Sequence, residues 1–196
     1  GDSTLFSVAG GGGSGWSLTG NAGTVAGTNF VGTTDNVDLV FKRNGIEAGR
    51  IGSIGGDYNT YFGVSSGVSN ISGTANTGIG YITLFNNTTG NNNTAVGDGA
   101  LALSTGEENT AVGSAALLAS TTGNLNTAIG TISGGNLITG IGNVIIGSNA
   151  DVATSSTDSS VAIGFQAVAG TRQLAFSPHL TTMFLNLDSA SGTAPS

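Results

Sequence analysis

The chain has 196 residues, with 35 Gly, two Pro and no Cys, and its formal charge of −7 sets eleven carboxylates against Lys42, Arg43, Arg50 and Arg172. This excludes collagen, which needs Gly-X-Y with abundant Pro, as well as disulfide or thiolate-metal frameworks and, for want of a basic patch, nucleic-acid binding. Charged residues are only 8% of the chain and apolar residues 38%, which argues against disorder, and no apolar run approaches the ~20 residues of a membrane span, so a soluble chain is expected.

In chain order, residues 1–15, with the run AGGGGSG, read as a flexible lead or linker. Residues 16–56 read as a β module. Its stretch DLVFKRNGIEAGRI, residues 38–51, predicts a hairpin in which Asn44-Gly45 forms a type I′ turn between Leu39-Val40-Phe41 and Ile46-Glu47-Ala48. Trp16 and Phe30 are its expected packing partners.

Residues 57–170 repeat themselves. A pentapeptide recurs as NTYFG from Asn59, NTGIG from Asn76, NTAVG from Asn93 and Asn109, NTAIG from Asn126, NVIIG from Asn143 and SVAIG from Ser160, in steps of 17, 17, 16, 17, 17 and 17. A second glycine series, Gly73, Gly90, Gly106, Gly123 and Gly140, keeps the same period, and its spacing puts the missing residue of the third coil between Gly97 and Gly106. Seventeen residues fit one turn of a parallel β-solenoid, and the frequent glycines and absent 3.6-residue period exclude helices.

Each pentapeptide position carries an expectation. The fourth, Phe62, Ile79, Val96, Val112, Ile129, Ile146 and Ile163, is apolar in every coil and is expected to stack as the interior ladder. The third is small at Gly78, Ala95, Ala111, Ala128 and Ala162, as on a face closely approached by other backbone. The invariant fifth glycine is expected at a corner that needs positive φ or has no room for Cβ. The recurrent Asn is expected to bond the next Asn along the stack and close the turn.

One coil, NTAVGSAALLASTTGNL, offers as large apolar groups only Val112, Leu117, Leu118 and Leu125, a thin core for seventeen ordered residues at ~1–2 kcal/mol of backbone entropy each. Leu-rich second arms such as Leu101 and Leu103 therefore want burial by other copies of the chain, and a homo-oligomer is expected. Residues 171–196 carry Phe176, Leu180, Met183, Phe184 and Leu185 and read as a cap or connector, with a linker-like end at 188–196.

Chemistry is sparse. Gly97-Asp98-Gly99-Ala100-Leu101-Ala102 satisfies GxGxxA, but its glycines belong to the repeat and no β-α-β unit surrounds it. His179, the only histidine, has no Cys or near carboxylate and reads as a cap residue. Glu107 and Glu108 read as a solvated loop, with a cation or glycan contact as the sharper alternative. Asp57, Asp151 and Asp158 are scattered, and the sequons Asn70-Ile71-Ser72 and Asn86-Asn87-Thr88 follow from repeat composition. No catalytic, cofactor-binding or metal-ligating residue is assigned, and no cofactor is expected.

The segments NNTAVGDGALALSTGEENTAVGSAALLASTTGNLNTAIG and SSVAIGFQAVAG resemble the head repeats of YadA-type trimeric autotransporter adhesins, over residues 59 to about 170. The coil is longer than that family's typical fourteen residues, and its STTGN loops resemble the long-loop versions of bacterial surface proteins and phage tail fibres. The stretch WSLTGNAGTVAGTNFVGTTDNVDLVFKRNGIEAGRIG is similar to a module that often precedes such repeats. The resemblance implies a left-handed parallel β-roll, a homotrimer, an extracellular place on a bacterial surface or virion, and a non-enzymatic fibre or adhesin head that attaches to a host cell, glycan or other surface. A phage tail-fibre receptor-binding segment is the alternative, and a fibre-borne glycan depolymerase is disfavoured by the shortage of acids and of Tyr, Trp and Arg. Thr columns also occur on ice-binding solenoids, but here Thr holds its column in only five pentapeptides.

Overall fold

The computed structural model describes residues 31–52 and 57–178. The expectations for residues 1–15, for Trp16 and Phe30, for His179, Leu180, Met183, Phe184 and Leu185, and for the 188–196 end lie outside the described residues. Within the described residues the protein is all-β, with no helix. The strands are β1 (Leu39–Arg43), β2 (Ile46–Ile51), β3 (Thr60–Phe62), β4 (Thr77–Ile79), β5 (Thr94–Val96), β6 (Thr110–Val112), β7 (Thr127–Ile129), β8 (Val144–Ile146), β9 (Asp151–Val152), β10 (Val161–Ile163), β11 (Val168–Ala169) and β12 (Leu174–Phe176).

Ten of them form one sheet in the order β1-β2-β3-β4-β5-β6-β7-β8-β10-β12, and β9 pairs with β11 in a second. From β3 to β10 each pairing is parallel and in register, Thr94↔Thr110↔Thr127 for example, so the pentapeptides stack as the rungs of a β-solenoid of about seven turns. Nine strand-to-strand steps of ~4.8 Å make the main sheet about 43 Å long.

β1 and β2 pair antiparallel about a two-residue turn in which Asn44 and Gly45 both have positive φ, 50° and 77°, as a type I′ turn requires. β2 then lies antiparallel on β3, with Arg50 opposite Tyr61. The Arg50 guanidinium bonds Asp38 at 2.8 Å and Glu47 at 2.9 Å, and its hydrogen bond to Glu47 holds that carboxyl below the usual range.

The interior is the reverse of the expected one. Every third-position residue from Tyr61 to Ala162 is buried, whereas the fourth-position row, Phe62, Ile79, Val96, Val112, Ile129, Ile146 and Ile163, points outward and is half-buried or exposed, Ile129 at 41%. The second arm supplies the facing wall: Ser66, Thr83, Ala100, Ala116, Ser133, Ala150 and Ala167, with Leu84, Leu101 and Leu117 beside them, all buried. The two walls lie so close that only small residues fit opposite one another. Where the third position is Tyr61, the second arm has glycine, and the Tyr61 ring occupies the space over Gly67; the space over Gly134 is filled by Leu117 and, farther off, Ile145. Leu101 is thus core rather than contact surface, while Leu103, Leu118 and Leu125 are exposed, so one coil buries still less apolar area than its composition suggests.

The asparagines behave as expected. Each Oδ1 from Asn59 to Asn143 accepts the backbone N–H of the residue one coil on, at 2.8–3.0 Å. Each Nδ2 donates to a carbonyl of the intervening turn, Gly73, Gly90, Gly106, Gly123, Gly140 or Thr157, at 2.7–2.8 Å. The fifth glycine needs both of its properties: Gly113 has φ 134°, and a Cβ there would lie 2.4 Å from the Gly130 carbonyl oxygen.

The short third coil loses its residue just before Gly106. Gly90 donates its N–H to Asn87 three residues back, but Gly106 donates to Ser104 only two back. The stack also continues past residue 170, into what reads from the sequence as a connector. β12 pairs parallel with β10, Val161↔Leu174 to Ile163↔Phe176, so Gln173-Leu174-Ala175-Phe176-Ser177 is a further rung thirteen residues after Ser160.

Candidate functional site

Alternation along each rung sends the second and fourth pentapeptide positions to the outer face of the main sheet. Register extends both rows beyond the repeats. The fourth-position row continues through Gly49 to Phe41 at one end and to Phe176 at the other, and the second-position row through Ile51 to Leu39 and to Leu174. The Phe41 and Phe62 rings meet with centroids 5.4 Å apart, in the space over Gly49 where a Cβ would lie 3.0 Å from the Phe62 ring. The two rows hold Thr, β-branched, Leu and Phe side chains and one glycine, and no charge, along the whole sheet. The fourth-position row is thus an apolar stripe, edged by a row that is half threonine, of the kind that marks an interaction surface.

The residues singled out for chemistry are not brought together. In the GxGxxA stretch the N–H groups of Gly97, Gly99, Ala100, Leu101 and Ala102 all donate to backbone carbonyls, so no amide cradle is left for a phosphate. Glu107 is exposed and accepts a hydrogen bond from Asn91 Nδ2 at 2.8 Å, while its own N–H donates to Asn124 Oδ1 at 2.7 Å. Glu108 is exposed, with φ 58°. Asp57, Asp151 and Asp158 each accept backbone N–H groups, from Asn59, from Val152 and Asn136, and from Ile141. Among the described residues no group of three or more His, Cys, Asp or Glu could hold a metal ion, and no helix is long and apolar enough to cross a membrane.

Burial raises the Asp151 carboxyl above its ordinary 3.8 despite those two bonds. The ionised form is therefore disfavoured in the fold, and the stability linked to the neutral form is present below the unfolded pKa and lost as pH rises through the folded value. Asp151→Asn keeps an acceptor without the charge. Its melting temperature should gain on that of the parent as pH rises from about 3.5 to 7, and a constant or reversed difference would contradict the assignment.

One recurrent hydrogen-bonding feature escapes a sequence reading. An outer ladder runs through Thr74, Asn91, Glu107, Asn124, Ile141 and Asp158, in which an Asn or Asp at every second coil caps the N–H of the residue one coil before it. The alternation of Asn or Asp with other residues at a 17-residue period is its signal. In comparisons with known proteins, no family model, no curated protein and no solved structure matches the chain.

Proposed function

We propose that this chain is part of a non-enzymatic, extracellular trimeric fibre or adhesin head, carried on a bacterial surface or a virion, that presents a rigid surface for attachment to a host cell, glycan or other surface. The observation that carries the reading is the uncharged double row on the outer face, which the single chain leaves half-exposed from one end of the sheet to the other. A surface of identical rungs fits other copies of itself, because each copy offers the same 4.8 Å repeat and no charge needs pairing. Around an axis, three such faces would bury one another and supply what the thin Ala-rich interior lacks; the number three rests on the resemblance to trimeric adhesin heads. The β1-β2 hairpin would cap one end of each roll. Attachment would then be multivalent, many weak contacts along three equal sides.

Light scattering on the 19.0 kDa chain should report close to three times that mass at micromolar concentration. Ile129→Asp puts a charge on the outer row without touching the interior. It should leave a folded monomer with the parent's far-ultraviolet dichroism. A parent that is monomeric, or an Ile129→Asp variant that still assembles, would overturn the reading.

A further inference from the structure

An asparagine side chain is open to attack by the backbone nitrogen of the next residue, and the solenoid blocks that reaction along its length. The attack needs a nitrogen that can lose its proton and swing toward the side-chain carbonyl carbon. In the ladder, the residue after each asparagine instead donates its N–H to the coil beyond, Thr60 to the Asn76 carbonyl and Thr110 to the Asn126 carbonyl, both at 2.8 Å. The exposed asparagines of the roll, Asn86, Asn92, Asn136 and Asn149, are guarded in the same way. The N–H after each is hydrogen-bonded, that of Asn93 to Asn76 Oδ1 at 2.9 Å and that of Leu137 to the Gly134 carbonyl at 3.2 Å, for example. Asn36 and Asn87 precede the β-branched Val37 and Thr88, which crowd the nitrogen, and the Asn87 amide is itself buried and engaged through both of its polar atoms.

Asn44 lacks these guards. With Gly45 it forms the exposed tip of the β1-β2 hairpin. Among the described residues the Gly45 N–H donates to nothing, the Asn44 side chain makes no hydrogen bond, and a Cβ on Gly45 would meet no atom within 4 Å. Glycine also puts no side chain in the path of attack. The related reaction at Asp98-Gly99 is closed off, because Gly99 is buried and gives its N–H to the Tyr81 carbonyl at 3.0 Å. At the hairpin, Lys42 and Arg43 precede the turn, and their positive charge favours the deprotonated nitrogen.

We infer that Asn44 is a site of spontaneous deamidation in the folded protein. The Gly45 nitrogen gives its proton to water or hydroxide and bonds to Asn44 Cγ, the Cγ–Nδ2 bond breaks, and Nδ2 leaves as ammonia with a proton from water. The cyclic imide then takes up one water at either carbonyl and opens to aspartate or isoaspartate. Both products carry a carboxylate where the amide was, and isoaspartate also adds a methylene to the main chain. Aspartate keeps the hairpin, since Asp-Gly suits a type I′ turn as Asn-Gly does. Isoaspartate does not, because the two-residue loop depends on two consecutive left-handed residues of ordinary length. β1 pairs only with β2, so the loosening falls on β1, while β2 stays held by β3. The site lies within one chain and does not depend on the trimeric reading.

The test is peptide mapping by mass spectrometry of the full chain held in mildly alkaline buffer at physiological temperature. A gain of about one dalton should accumulate at Asn44 at least ~10-fold faster than at any asparagine of the roll, and isoaspartyl methyltransferase should label a share of the product. Asn44→Gln, whose carbonyl carbon is one methylene farther from the nitrogen, should stay intact. The isoaspartyl form, separated by ion exchange, should exchange its β1 amides faster than the parent, and Asn44→Asp should not. An Asn44 that stays intact in the chain while a peptide of residues 38–51 converts, or equal conversion at the ladder asparagines, would overturn the assignment. Parent-like β1 exchange in the isoaspartyl form would overturn the loosening.

Discussion

Ala128→Asp should prevent the chain from folding, while the same change at its neighbour Ile129 should not. Ala128 is completely buried, between Ala111 and Ile145 on the adjoining rungs and close to the second-arm wall. A carboxylate there has no cation and no water to solvate it, and replaces a methyl in a space that admits only small groups. The cost is on the order of 5 kcal/mol, comparable with the whole stability margin of an ordinary domain. Ile129 faces out, so its substitution acts on assembly. Dichroism and thermal melts of the two variants decide the matter: a folded Ala128→Asp beside an unfolded Ile129→Asp would restore the fourth position to the interior.

The register of the repeat, the corner glycines, the Asn ladder and the Asn44-Gly45 turn were all readable in the sequence, because each depends on a residue type with one conformational or hydrogen-bonding use. The phase of the rung was not. Alternation places Thr and Ile on one face and Ala on the other without saying which face is inside, and the larger hydrophobe is the natural choice for a core. A solenoid with touching walls inverts that choice. The signal was compensation in size within one coil: the large third-position Tyr61 comes with Gly67 in the second arm. The left-handed residues before each rung were also hidden. Tyr58, Ala75, Asn92, Glu108, Leu125 and Ser159 all have φ between 52° and 59°, a conformation imposed by the coil on residues that do not advertise it.

Asn109→Ala should cost about 2–5 kcal/mol, the largest loss from any single uncharged change at a polar site in the stack. The Asn109 side chain accepts the N–H of Asn126 at 3.0 Å and donates to the Gly123 carbonyl at 2.8 Å, and it is completely buried. Alanine leaves both backbone groups unpaired where water has no access. The natural chain shows where the requirement ends. At Ser160 the column gives up Asn, and there the first residue of the next rung, Gln173, donates its N–H to the Gly170 carbonyl instead. The shortened thirteen-residue step brings the turn close enough to satisfy its own amide, so the ladder is no longer needed. Ser160→Asn should therefore change the melting temperature little, whereas Asn109→Ser should fall between the parent and Asn109→Ala, because a hydroxyl can reach Asn93 Oδ1, as Ser160 reaches Asn143 at 2.7 Å, but has no second group for the Gly123 carbonyl. Hydrogen exchange at the Asn126 amide reads the effect locally. Unchanged protection there in Asn109→Ala would mean that the neighbouring rungs, and not the asparagine column, hold the coils together.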